Sequence, residues 1–323
     1  MFDPLNIGSL IETQAELAEA GMAAEAAELR RSLVEFLDGQ IAHGLDHATD
    51  AIGRDPAYAS ECLLKCMMTL RVYWSYVGGL PESYTRCLTT TAAFCASLGQ
   101  DEAAAIAREM ASGAIGPFYP VTESCQIGIL DGLLQRCFGR VTQGQFVEVG
   151  AYDGESFSNT CGLADIGWRG LYIEPSPASY ERCRARHAKN AGIETVNFAI
   201  GATVSRVSMS GEGPLTQVAA EGEKALFEVA LSPLDDVLAE RNIAPGFDLL
   251  VVDVEGFEGE VFAGFDLARW LPSAIIIELS DLAPLEPSKI QLRDRLLATG
   301  YRLLFQDAVN SLYVLELGAA AHS

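Results

Sequence analysis

Three acidic residues close two short apolar runs in the C-terminal half of this chain, and acids so placed can move protons. Asp253 and Glu255 follow the run 247–252, and Glu278 follows the run 274–277. Carboxylates gathered at neighbouring strand ends raise one another's pKa by repulsion, which makes one of them a candidate general base. The same oxygens suit a divalent cation, so a cation is compatible with the site without being predicted. No metal ligand set is expected elsewhere: no two of the eight cysteines form a CxxC pair, and the four histidines lack ligand spacing. Glu255 fits either a chemical role or a cap. Glu258 and Glu260 read as acids at the positive end of a helix dipole.

A second cluster follows the run 145–149, in the stretch Glu148-Val149-Gly150-Ala151-Tyr152-Asp153-Gly154. Its glycines permit a tight turn and close backbone approach to a ligand. The pattern is not GxGxxG, and the acids Glu148, Asp153 and Glu155 would repel a pyrophosphate; they suit an ammonium or sulfonium centre instead. No GxxxxGK[ST] occurs, which disfavours a nucleoside triphosphate. The run 170–173 ends in Glu174-Pro175, and a carboxylate there can accept both hydroxyls of a ribose. Ser176 before Pro177 is a helix N-cap.

These residues need a scaffold, and the apolar pattern supplies one. Strands are expected at 145–149, 170–173, 195–199, 247–252, 274–277, 301–305 and 311–315, several almost wholly apolar, as parallel strands buried on both faces are. Helices are expected at 157–165, 177–187, 233–241, 259–271 and 288–299. That alternation implies an α/β fold with a doubly wound, mostly parallel sheet, whose ligands lie beyond the carboxyl ends of the strands at the switch point. Between 204 and 229 the rhythm breaks, consistent with a small β insertion or a lid.

Residues 1–118 read differently, as an all-α N-terminal domain, with Gly116-Pro117-Phe118-Tyr119-Pro120 marking the boundary to a second domain over 119–323. One helix carries Leu29, Leu33, Phe36, Leu37 and Ile41; others are expected at 56–77, from Pro81 to about 98, and at 101–111. Met67, Met68, Tyr73, Trp74 and Tyr76 read as core or as a homodimer surface of this domain. Trp168 and Trp270 read as packing residues, His187 as a partner of a helix C-terminal dipole, and Arg182, Arg184 and Arg186 as a solvated helix edge.

With 22 basic and 44 acidic residues the formal charge is −22, which excludes the basic footprint of a nucleic-acid or anionic-membrane binder. No apolar run reaches membrane-span length, and the first residues lack a signal-peptide pattern. Scattered cysteines among apolar neighbours are expected to be free thiols, which places the chain in the cytoplasm.

The blocks FVEVGAYDGESFSNT (146–160), GWRGLYIEP (167–175), LDDVL (234–238), DLLVVDVEGFE (248–258), IIIEL (275–279) and NSLYV (310–314) resemble, in order and spacing, the FkbM-type methyltransferase family. Ser124-Cys125-Gln126 and Leu130-Asp131-Gly132 extend the resemblance upstream, so that it spans about residues 123–316. The family implies a Rossmann-like class I methyltransferase sheet of seven strands, the last antiparallel. It implies S-adenosylmethionine as donor and a hydroxyl or carboxyl acceptor on a sugar or secondary metabolite. On that resemblance Glu148, Gly150, Tyr152, Asp153 and Gly154 fall in the cofactor loop, and Glu174 with Pro175 meets the ribose. Asn197, Phe198 and Ala199 sit where the adenine lies, and Asp253 lies beside the methionine of the donor. Ser156, Ser158 and Asn159 are expected to open a helix facing the methionine carboxylate, while Glu255 and Glu278 face the acceptor. Glu148 stands where the family often has Asp, and the helical half is not covered.

The expected function is therefore O-methylation of a small-molecule or glycan-like acceptor. Two readings compete: an interaction protein that keeps the fold without transfer, and a methyltransferase whose protein substrate docks on the helical half. A nicotinamide enzyme is disfavoured, because the pyrophosphate-binding glycine pattern is missing.

Overall fold

The computed structural model describes residues 4–78, 83–211, 213, 216–219, 225–282 and 284–316. Five helices come first: α1 (Pro4–Glu19), α2 (Ala23–Ala51), α3 (Pro56–Val77), α4 (Ser83–Ser97) and α5 (Asp101–Ala111). The ends of α3 follow from local chemistry. Asp55 accepts the N–H of Tyr58, Pro56 fills the first turn, and Gly78 stops the helix at φ 79°. The expected helix start at Pro81 and Glu82 lies outside the described residues. A helix that the sequence reading did not mark, α6 (Leu130–Phe138), precedes the sheet.

Then come β1 (Gln145–Val149), α7 (Cys161–Asp165), β2 (Arg169–Ile173), α8 (Pro177–Arg186), β3 (Ile193–Val196), β4 (Ala199–Ile200), β5 (Ser205–Ser210), β6 (Gln217–Val218) and β7 (Phe227–Ser232). The chain continues through α9 (Leu234–Glu240), β8 (Leu249–Val252), α10 (Glu258–Ala263), α11 (Leu267–Trp270), β9 (Ala274–Ile277), α12 (Pro287–Ala298), β10 (Tyr301–Gln306) and β11 (Ser311–Leu315). The main sheet has seven strands in the order β10-β11-β9-β8-β1-β2-β3. All pairings are parallel except those of β11, which runs antiparallel to β10 and β9. This is the expected seven-stranded α/β sheet with its final strand reversed. The break in rhythm after residue 204 is a second sheet of four strands, β4-β7-β5-β6.

Three expected elements differ. The helix expected at 157–165 begins only at Cys161, because residues 155–160 form turns. The helix expected at 259–271 is two, α10 and α11. Gly264 lies between them, where a Cβ would meet the carbonyl oxygen of Gly201 at 2.1 Å, and Asp266 caps the second by accepting the N–H of Arg269. The strand expected at 195–199 ends at Val196; Asn197 leaves it, donating to the carbonyls of Glu174 and Pro175 at 2.9 Å each.

Alternation along the strands divides the core in two. Val147, Val149, Leu250, Val252, Ile275 and Ile277 pack against Leu234, Val261, Phe262, Leu292 and Leu296 of the later helices. On the opposite face, Phe146, Leu249, Val251, Ala274, Ile276 and Leu312 share one cluster with Leu45, Leu63, Leu70, Phe94, Ile106 and Leu133. The N-terminal helices are thus one of the two layers that cover the sheet. Polar ties cross the same seam: Gln100 donates to and accepts from the backbone of Gln306, Ser60 accepts the N–H of Ala308, and Arg302 pairs with Glu102 at 2.8 Å. Trp168 and Trp270 are buried, with their indole N–H groups bonded to Val141 and Asp235, as packing residues should be. Met67 is buried, whereas Trp74 is exposed. All eight cysteines are free, seven of them buried. Among the described residues no helix is long and apolar enough to cross a membrane.

Candidate active site

The strand order reverses direction between β1 and β8, so the switch point lies beyond Val149 and Val252. There the chain runs so tightly that a Cβ on Gly150, at φ 90°, would sit 1.7 Å from the carbonyl oxygen of Asp253. Tyr152 (φ 49°), Phe157 (φ 62°) and Glu255 (φ 51°) also occupy the left-handed region, although none is glycine. Strain gathered in the loops of one sheet end is what a pre-organised site requires.

Two hollows meet at this point. The first is lined by Gly150, Tyr152, Glu174, Pro175, Phe198, Ala199, Asp253 and Glu255, with Met209, Thr216, Gln217 and Val218 of the small sheet also bordering it. The second is lined by Gln126, Glu148, Gly150, Tyr152, Ser156, Ser158, Asn159, Asp253 and Glu255. Gly150, Tyr152, Asp253 and Glu255 border both. A more voluminous depression lies at the opposite end of the sheet, around Gln143–Gln145 and Ala244–Asp248, away from the strand ends that carry the acids.

Each acid has a distinct setting. Glu148, 4% exposed, accepts from the hydroxyls of Ser158 (3.3 Å) and Thr160, and the Tyr172 hydroxyl, 2.9 Å from that of Thr160, donates to it in turn. Burial, with help from Asp253, pushes its carboxyl up to about 8. Glu174 accepts the N–H of Tyr152 at 2.8 Å and that of Ser176 at 2.7 Å, one on each oxygen, and burial pushes it up to about 7. Every carboxylate oxygen has a second lone pair, so both remain able to accept from a ligand. Asp253 is pushed up to about 6 by burial and then by Glu255 and Glu258; Glu255 is raised for the same reasons, burial first.

Glu278 lines neither hollow. It stands close enough to Glu258, Asp253 and Glu255 to feel them, and burial above all pushes it up to about 7. Its Oε2 is buried without a hydrogen-bond partner, and Lys289 donates to its backbone carbonyl at 3.0 Å. Glu258 behaves as a cap: it accepts the N–H of Gly256 and pairs with Lys289 at 3.5 Å.

Some expected cofactor residues serve the loop itself. Both oxygens of Asp153 are engaged locally, by the N–H groups of Glu155 and Ser156 and by the Ser156 hydroxyl. Gly154 lies against α8, where a Cβ would meet Cys183 Sγ at 2.7 Å and His187 Nε2 at 2.9 Å. Ser156, Ser158 and Asn159 border the second hollow from turns and do not open a helix. His187 caps α8, but its ring does more than face a dipole. It is buried, stacks on Tyr172 at 4.6 Å, and its Nε2–H donates to the Gly154 carbonyl at 2.8 Å. Arg186 is no solvated edge: it bridges Glu155 (3.0 Å) and Asp165 (2.7 Å), tying the loop to α7. Arg184 pairs with Glu181 at the surface, as expected. Sequence reasoning did not single out Lys289 or the small-sheet residues at the first hollow, and Gln126 only within a family block. Among the described residues no group of three or more His, Cys, Asp or Glu side chains is placed to hold a metal ion.

No curated protein matches the chain. Among solved structures, fibrillarin of Aeropyrum pernix, in complex with natively bound S-adenosyl-L-methionine, is similar at 12% identity over 57% of this chain and 72% of that one, with a TM-score of 0.35. A TehB-like SAM-dependent methyltransferase of Corynebacterium glutamicum is similar at 11% identity over 54% and 80%, with a TM-score of 0.29. WbdD is similar at 16% identity with a TM-score of 0.33, and the match spans 57% of this chain but 32% of that one. Residues 148–303, just under half of the chain, match the family described as Methyltransferase FkbM domain.

Proposed function

We propose that the chain is an S-adenosylmethionine-dependent methyltransferase acting on a hydroxyl of a small-molecule or glycan-like acceptor. One observation carries the reading: two hollows at the switch point share Gly150 and Asp253, with Glu174 on one side and Glu148 on the other. The first suits an adenosine, with Glu174 beside the ribose hydroxyls and Phe198 and Ala199 beside the base. The second suits an amino acid, with Glu148 beside the ammonium. Glycine at 150 and 154 lets the loop pack tightly under the hollows, since a Cβ there would meet the Asp253 carbonyl oxygen or Cys183 and His187. Among the described residues neither hollow is lined by Lys or Arg, which suits a donor without phosphates.

When bound, the cofactor would supply a methyl carbon already activated by its sulfonium, to which an acceptor oxygen could bond in line as the C–S bond breaks and its electron pair leaves with sulfur. The residues of the chain orient and deprotonate. Glu174, Gly150 and Glu148 fix the ends of the donor, and such alignment can supply roughly 7–11 kcal/mol of the barrier. Asp253, pushed up to about 6, and Glu278, pushed up to about 7, can take the hydroxyl proton near neutral pH, as can Glu255. Helices α1 to α5 belong to a helical layer over one face of the sheet, and the free thiols fit a cytoplasmic setting.

Calorimetric titration of S-adenosylmethionine and S-adenosylhomocysteine into the purified protein tests the reading, with Glu174→Gln as control. Micromolar binding that the substitution weakens supports it. Folded protein that binds neither ligand overturns it, and binding without transfer to any hydroxyl acceptor favours the interaction protein.

A further inference from the structure

The helical half reaches the second hollow through one short segment. Arg71 of α3, 7% exposed, points its guanidinium at the carbonyls of Cys125, Ile127 (2.9 Å) and Gly128 (3.5 Å). No carboxylate among the described residues pairs with it. Met67, one turn earlier on α3, lies flush against Gly128, where a Cβ would meet its Cγ at 2.8 Å. The far side of the same segment touches the loop around the site twice and the hollow once. Ser124 accepts the N–H of the strained Phe157 at 2.9 Å, Cys125 packs its thiol on Asn159, and Gln126 borders the hollow itself.

Gln126 is held in one orientation. Asn310, at the start of β11, donates to its Oε1 at 2.9 Å. That leaves the carboxamide nitrogen as the free end, and it donates to no other group among the described residues. The rest of this wall is rich in oxygen acceptors: Glu148, Asp253 and Glu255 all border the hollow. An amino acid bound there has both an ammonium and a carboxylate. The acids satisfy the first and would repel the second, which needs neutral N–H donors.

We propose that Gln126 donates its side-chain amide to the carboxylate of the amino-acid end of the cofactor, and that Arg71 is the positioning residue through which the N-terminal helices hold Gln126 there. The inference rests on the cofactor reading above. It gives the helical segment a role inside the site: α3 supplies the anchor of one wall, so cofactor affinity depends on a guanidinium in the other half of the chain. A lysine at position 71 keeps the charge but lacks the planar fork that reaches several carbonyls at once.

Two ligands isolate the subsite. S-adenosylhomocysteine carries the amino-acid end, and 5′-methylthioadenosine lacks it while keeping the adenosine. Gln126→Glu, which replaces the donor by an acceptor of like shape, should weaken S-adenosylhomocysteine about ten- to hundredfold and leave 5′-methylthioadenosine unchanged. Arg71→Lys should shift the same ratio in the same direction, with native circular dichroism. The carboxylate contact is overturned if Gln126→Glu binds both ligands as the wild type does, or loses both equally. The positioning role is overturned if folded Arg71→Lys leaves the ratio unmoved. Because Gln126 borders open space, its variant tests the contact even where Arg71→Lys unfolds. Wild-type protein that binds neither ligand overturns the cofactor reading, and this inference with it.

Discussion

Replacing Gly150 by alanine puts one methyl group where β1 and β8 approach most closely. Two costs follow. At φ 90° an L-residue meets the left-handed penalty, roughly 1–2 kcal/mol. The new Cβ also lands 1.7 Å from the Asp253 carbonyl oxygen, and the obstacle is backbone that cannot rotate away. Forcing a methyl into a packed site costs typically about 1–3 kcal/mol. A stiffer unfolded chain returns about 0.4–1 kcal/mol, leaving a net loss of about 1–5 kcal/mol.

Gly256 separates the two costs. It has nearly the same φ, 92°, yet nothing lies within 4 Å of a Cβ built there. Gly256→Ala therefore carries the strain without the collision, and the difference between the variants reads the contact alone, about 1–3 kcal/mol. Thermal unfolding of both proteins measures it. Gly150→Ala should also lose S-adenosylhomocysteine in calorimetry, because parting the strand ends moves a residue that borders both hollows. Equal midpoints for the two variants, together with wild-type binding by Gly150→Ala, would refute the close approach and its role.

Other expectations concern protons and the loop. Glu148 is held near 8 by burial, so the folded protein keeps a proton that the unfolded chain releases above about 4.5. Its contribution is complete below that unfolded value and is lost as pH rises through about 8. The midpoint of ligand-free protein should accordingly fall from pH 5 to 9, and Glu148→Gln should flatten the fall; identical slopes would clear Glu148 as the cause. Among Glu255→Gln and Glu278→Gln, the variant that removes the base should lower methyl transfer by about 10²–10⁴ with cofactor binding intact, and full activity in both would leave Asp253 as the candidate. His187→Phe keeps the stack on Tyr172 but orphans the Gly154 carbonyl at a cost of about 1–3 kcal/mol, which should speed amide hydrogen exchange across residues 152–158. Unchanged exchange would mean that α8 does not hold the loop.

Much of the scaffold was legible because parallel strands buried on both faces write themselves as apolar runs. Ala274–Ile277 is wholly apolar and appeared with its bounds intact. Local signals at helix ends worked equally well, as Asp55, Pro56 and Gly78 show for α3. What failed depended on partners distant in sequence. Gly264 interrupts a helical pattern because Gly201 passes beside it, which no window around residue 264 contains. The burial of Phe146, Leu249 and Ile276 under the N-terminal helices is likewise a pairing across some hundred or more residues. Cutting the chain at residue 118 would bare that face, so such a truncation reports on folding before it reports on any docked acceptor.

The acids illustrate the same boundary at the site. Composition and strand-end position found Glu148, Glu174 and Asp253, yet they gave no means of ranking them against Asp153, which has the same charge and a place in the same loop. Geometry ranks them by what their oxygens already hold. Asp153 closes its own turn with both oxygens, an arrangement set by residues two and three positions away. Glu174 accepts one backbone N–H on each oxygen and keeps a lone pair on both, so it orders the loop and still faces the first hollow. That double engagement decides how position 174 must be probed. Alanine would free Tyr152 and Ser176 together with any ribose, merging a folding defect with a binding defect. Glutamine keeps one acceptor oxygen but sets its NH2 against the other backbone N–H, so an affinity lost in Glu174→Gln reports on the ligand only where the unfolding midpoint stays close to that of the wild type.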